Sequence, residues 1–119
     1  MARLTDPDTL ARYKQALADW ELAGAIELDG RAPDGLRTTL AGVTEEAFKE
    51  AMHRFVCLEG GEVDQVKEQR EPWREHWEWH FDVRLTIDGI MLYVETRLYP
   101  ESFSSRHEPV IRVVQIKPA

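Results

Sequence analysis

The sequence predicts an α+β fold, with two N-terminal helices packed on one face of a three- to four-stranded antiparallel sheet of meander topology. Three observations carry this expectation. Apolar residues recur at helical spacing in two stretches before residue 60. Six apolar residues then alternate with polar ones over 77–88. Asp88-Gly89 follows at once, a two-residue turn of the type that joins paired strands. At 119 residues, without repeats or a long linker, the chain reads as a single domain, 1–119.

The first helix is expected from Asp6 to Ala23. Asp6 suits the N-cap, Pro7 the first helical position, and Asp8 the positive end of the helix dipole. Leu10, Tyr13, Leu17 and Trp20 define its apolar face, and Gly24 is a C-cap candidate. Residues 25–43 read as a turn-rich link, because Asp29-Gly30, Pro33 and Asp34-Gly35 punctuate them. Only Ile26 and Leu28 suggest a very short strand there. The second helix starts at the Thr44 N-cap, buries a stripe of Ala47, Phe48, Ala51, Met52, Phe55, Val56 and Leu58, and stops at Gly60-Gly61.

Val63 and Val66 mark a possible edge strand that Pro72 ends or bends. In the next strand Trp77, Trp79, Phe81, Val83, Leu85 and Ile87 are expected on the buried face under both helices. Trp73, just after Pro72, is the tryptophan expected to be exposed. The return strand runs from Ile90 to Tyr99, and a loop is expected from Pro100 to Pro109. Val110 to Lys117 is more continuously apolar, as a strand covered on much of both faces would be.

A two-residue turn fixes the hairpin register. Leu85 then faces Leu92, Val83 faces Val94 and Trp79 faces Leu98. On the opposite face Arg84 meets Tyr93, Asp82 meets Glu95, His80 meets Arg97 and Glu78 meets Tyr99. The Asp82/Glu95 pair sets two carboxylates side by side, which repel unless cations compensate. Arg84 and Arg97 are the expected diagonal partners. Three readings follow: an ion-pair lattice on a solvated face, a functional polar face, or a metal site of His80, Asp82 and Glu95. His76 and His80, four apart in a strand, would lie about 13 Å apart and do not form a zinc pair.

Composition excludes more than it suggests. There is no apolar run long enough for a membrane helix, and no apolar leader segment follows the N-terminus. A single cysteine, Cys57, points to a reducing, cytoplasmic setting. Lys and Arg number 15 against 22 Asp and Glu, for a net charge of −7. That balance counts against RNA as a partner, although eleven of the fifteen basic residues are arginine, the side chain suited to phosphate.

The C-terminal two-thirds resembles the RelE/MqsR-type messenger-RNA interferase toxins. The stretch Val43-Thr44-Glu45-Glu46-Ala47-Phe48 is similar to that family's Leu-Thr-x-x-x-Phe helix start. Trp79-His80-Phe81-Asp82-Val83 is similar to its Trp-x-Asp-Val-Tyr strand. Leu92-Tyr93-Val94-Glu95-Thr96-Arg97-Leu98 and Val110 to Lys117 are similar to its last two strands, with Glu95 where the family has lysine. The resemblance implies ribonuclease activity without metal or cofactor, in which His80, Arg84, Tyr93 and Arg97 act catalytically. Asp82, Glu95, Lys117 and Tyr99 would then bind, and an antitoxin-like protein would be a partner. The competing expectation is a non-catalytic interaction module, whose acidic surface engages a basic protein or whose sheet edge mediates self-association.

Overall fold

A computed structural model describes residues 2–101 and 108–119. In chain order the elements are β1 (Ala2–Arg3), α1 (Pro7–Ala18), β2 (Ile26–Leu28), α2 (Ala32–Thr39), α3 (Glu45–His53), β3 (Val63–Lys67), β4 (Trp79–Ile87), β5 (Ile90–Tyr99) and β6 (Val110–Pro118). They form an α+β fold built on one mixed six-stranded sheet of order β1-β3-β4-β5-β6-β2. The expected three- to four-stranded antiparallel sheet behind two N-terminal helices is therefore corrected on three counts. Two edge strands are added, β2 runs parallel to β6, and there are three helices interleaved with the first strands. β2 is the very short strand that Ile26 and Leu28 suggest, here placed at the sheet edge, whereas the two residues of β1 are too few for an alternating pattern to reveal.

The third helix lies in the segment read as a turn-rich link. Pro33 and Asp34, taken there for turn residues, occupy the first turn of α2, where fixed φ and negative charge both favour a helix start. Gly35 answers a packing need. A Cβ at that position would lie 2.0 Å from the Ile116 carbonyl oxygen, so only glycine lets α2 sit this closely on β6.

α1 starts as expected, with Asp6 accepting from the Thr9 N–H at 2.9 Å and Pro7 at its first position. It ends at Ala18 rather than Ala23. α3 is capped by Thr44, whose hydroxyl accepts from the Ala47 N–H at 3.0 Å. Beyond His53 the helix widens into a π-turn over Arg54–Leu58, with Glu59 N–H donating to the Arg54 carbonyl. The wider turn rotates Leu58 off the apolar stripe into solvent, and Ala47 is exposed as well.

All three helices converge on one core. Tyr13 and Leu17 of α1, Phe48 and Met52 of α3 and Leu36 of α2 pack against Phe81, Val83, Leu92, Val94, Ile111 and Val113 of the sheet, all at most 3% exposed. Inside this core the Thr96 hydroxyl donates to the Phe81 carbonyl at 2.7 Å, which leaves the Tyr13 hydroxyl to donate to Thr96 at 2.8 Å.

The hairpin register is the one the turn requires, from Ile87/Ile90 through Asp82/Glu95 to Phe81/Thr96. Asp88 and Gly89 both adopt positive φ, 51° and 78°, as a type I′ turn demands. β4–β5 pairing stops there, so Trp79/Leu98, His80/Arg97 and Glu78/Tyr99 are not ladder pairs. His80 instead pairs with Val66 of β3, and Arg97 with Arg112 of β6. The expected loop over 100–109 lies mostly outside the described residues.

The apolar run of β6 also has a different cause from the one expected. Glu95 pairs with Gln115 but Thr96 with Val113, so Val114 is the extra residue of a β-bulge. The bulge shifts the alternation by one: Ile111 and Val113 face the core before it, and Ile116 after it.

Candidate functional site

The face of the sheet opposite the helices carries the ionisable residues, and the register arranges them in rungs. Arg84, Tyr93 and Lys117 form one rung across β4, β5 and β6. Asp64, Asp82, Glu95 and Gln115 form the next, across four strands. Arg97 and Arg112 lie opposite each other in the third.

Much of this face is covered, contrary to the solvated lattice expected, while its first rung, with Arg84 and Lys117, stays exposed. His80, Asp82, Glu95 and Arg97 are all buried. The cover is the connection from β3 to β4, residues 68–78, which folds across the sheet. Its ends are joined by the Glu68 N–H donating to the Glu78 carbonyl at 2.9 Å. Trp77, expected on the buried strand face, belongs to this connection and packs over Arg97 and edge-on to Tyr99. Its position two residues before Trp79 matches the strand alternation only by coincidence. Trp79 stays on the helix side, partly buried against the core. Trp73 is 49% exposed, as expected.

The charge partners differ from the expected diagonals. Arg97 donates to Glu68 at 2.9 Å and stands 4.0 Å from Glu95. Arg70 bonds both Glu68 and Glu95, the latter at 2.6 Å. Arg84 pairs with Asp64 at 3.0 Å, and His80 Nδ1 lies 2.8 Å from Asp82. Burial opposes ionisation of Glu68, but its bonds from Arg70 and Arg97 outweigh this and hold it down to about 2. The same pair of carboxylates, Glu68 and then Glu95, raises Arg70 above the ordinary guanidinium range.

At the first rung, the Arg84 guanidinium and the Lys117 ammonium each stand 5.2 Å from the Tyr93 ring. Burial, and after it the Asp82 charge, push the Tyr93 phenol above its usual value. Asp82 bonds His80 and lies one rung from Tyr93. Glu95, engaged by Arg70, is not available as a metal ligand, and no group of three metal-binding side chains converges among the described residues.

At the third rung lies a concave cavity of about 490 Å³, bordered by Arg31, Arg70, Arg97, Arg112, Trp73 and Trp77. A larger, more open depression of about 700 Å³ follows the outer side of the 68–78 connection, away from these rungs. The Arg97 guanidinium lies 5.2 Å from the Trp73 ring and 5.4 Å from that of Trp77. Its Nε and Nη1, and Nε of Arg112, are buried without a hydrogen-bond partner among the described residues. Arg112 stands 6.0 Å over the Tyr99 ring.

Of the expected site residues, Arg84, Tyr93 and Lys117 share the first rung and Asp82 and Glu95 the second, His80 reaches Asp82 from two residues along β4, and Arg97 and Tyr99 lie toward the cavity end. Sequence reasoning missed Glu68, Arg70 and Arg112. The crowding of glutamate, arginine and tryptophan between Glu68 and Trp79 was the available signal. No protein-family model, no functionally described protein and no solved structure matches this chain. No helix among the described residues is long and apolar enough to cross a membrane.

Proposed function

We propose that this chain binds single-stranded RNA along the polar face of its sheet and cuts it without a metal ion, in the manner of the RelE/MqsR-like toxins its sequence resembles. The observation that supports this most is geometric: Arg84 and Lys117 each stand 5.2 Å from the Tyr93 ring, one rung from the buried Asp82 that bonds His80. In this reading the ribose 2′-oxygen attacks the adjacent phosphorus and loses its proton to His80, which Asp82 orients. The bond from phosphorus to the 5′-oxygen breaks, and Tyr93 donates the proton that this leaving oxygen takes up. Arg84 and Lys117 stabilise the charge that builds on the phosphoryl oxygens. The products carry a 2′,3′-cyclic phosphate and a 5′-hydroxyl.

A second reading is favoured by the bonds that Arg70 and Arg97 make to Glu68 and Glu95, since they neutralise cations that RNA would otherwise meet. On that reading the fold is retained and the chain is a non-catalytic module that holds a protein partner. Incubating the protein with end-labelled single-stranded RNA in EDTA separates the two. Cleavage to cyclic-phosphate ends, lowered at least about 100-fold in Tyr93→Phe, is the expected result. RNA left intact by the wild-type protein rejects the nuclease in favour of the module.

A further inference from the structure

We infer that the cavity at the third rung is a nucleotide site, in which Arg97 and Arg112 hold a phosphate group and the exposed side of Trp73 stacks the attached base. This inference does not depend on RNA cleavage: it stands if the chain binds RNA without cutting it.

Two arginines meet at this cavity. Arg97 and Arg112 are directly opposed across β5 and β6, and like charges in that position repel. Arg97 is only 3% exposed, yet two of its nitrogens, Nε and Nη1, have no acceptor among the described residues. Nε of Arg112 is in the same state. Buried donors are almost always paired, and unpaired ones carry a large desolvation cost. One anion with several acceptor oxygens would remove both the repulsion and the unpaired donors.

The nearby carboxylates do not already fill this role. Glu68 accepts from Nη2 of Arg97, and Glu95 is bonded by Arg70. Asp29, on the far wall, accepts from the Gly30 N–H at 2.8 Å.

The aromatic residues narrow the class of anion. Trp73 covers one side of Arg97 and remains 49% exposed, leaving indole surface at the mouth of the cavity. A base stacks on such a surface whatever its identity. A cavity of about 490 Å³ suits a mononucleotide in size. Because the Arg97 nitrogens are shielded by the two indoles, binding requires Trp73 to shift, and tryptophan fluorescence would report it.

The test titrates AMP, inorganic phosphate and adenosine separately into the full chain, with calorimetry and tryptophan fluorescence as readouts. AMP is expected to bind at least about tenfold tighter than either fragment and to change the fluorescence. Removing one charge-assisted bond with Arg112→Ala is expected to weaken AMP about ten- to hundredfold. Arg112 is half-buried and outside the Glu68 network, so this variant folds even if Arg97→Ala does not. Trp73→Ala is expected to bring AMP down to the affinity of phosphate. AMP binding no tighter than adenosine, or equal in wild type and Arg112→Ala, overturns the site. Phosphate binding as tight as AMP overturns its assignment to a nucleotide. RNA cleavage, read separately by the products, is lost or kept independently of these binding results.

Discussion

The two faces of this sheet are covered by opposite means. On one, α1, α2 and α3 press Tyr13, Leu36, Phe48 and Met52 onto β-strand valines and leucines, and the contacts are apolar and non-directional. On the other, the 68–78 connection lays glutamate, arginine and two tryptophans over a sheet surface that is itself charged, so every contact is directional. The first arrangement tolerates small changes of shape. The second leaves specific donors unpaired, and that is what an interaction site needs.

The contrast is measurable in stability. Phe48→Ala opens a cavity under the helices and is expected to cost about 4 kcal/mol in urea unfolding, the largest effect. Glu68→Ala removes the buried partner of Arg97 and is expected to cost about 3 kcal/mol, against almost nothing for an exposed glutamate. A loss under 1 kcal/mol would show that the polar face is held by packing alone.

Acid should separate the faces as well. Glu68 titrates near 2 when folded and from 4.5 otherwise, so its stabilisation is complete above about pH 5 and disappears as pH falls toward 2. The contribution is up to about 3 kcal/mol, shared with water through half-exposed Arg70. Urea midpoints measured from pH 6 to pH 2.5 should fall in the wild-type chain and fall less in Glu68→Gln. At the small end, Tyr13→Phe removes one buried hydroxyl donor while Thr96 keeps its bond to Phe81. It is expected to cost about 1 kcal/mol by thermal unfolding.

The same contrast explains what could be read from the amino acids alone. Long periodic segments declare themselves: Leu10 to Leu17, Phe48 to Met52 and the β4–β5 hairpin are set by local spacing, and Asp88-Gly89 fixes which residues share a face. Alternation says nothing about what lies above that face. Asp82 and Glu95 were legible as neighbours, but their burial depends on a connection whose course is set by tertiary contacts of Glu68, Arg70, Trp73 and Trp77. The β6 bulge is hidden for a related reason, since Val113-Val114 looks the same whether a strand is doubly covered or shifted in phase. The residues of α2 carry turn and helix-start signals at once, and packing of Gly35 on Ile116 decides between them.

The central claim is that the polar face is an RNA-binding surface and not only an internal ion lattice. Fluorescence anisotropy of a labelled single-stranded RNA, at low and moderate salt, tests it most directly with wild type and Arg112→Ala. The account predicts saturable binding by the wild-type chain that weakens with salt and falls about tenfold or more in the variant, while the unfolding midpoint of the variant is unchanged. Absence of binding at low salt, or equal affinity in the two proteins, would contradict it.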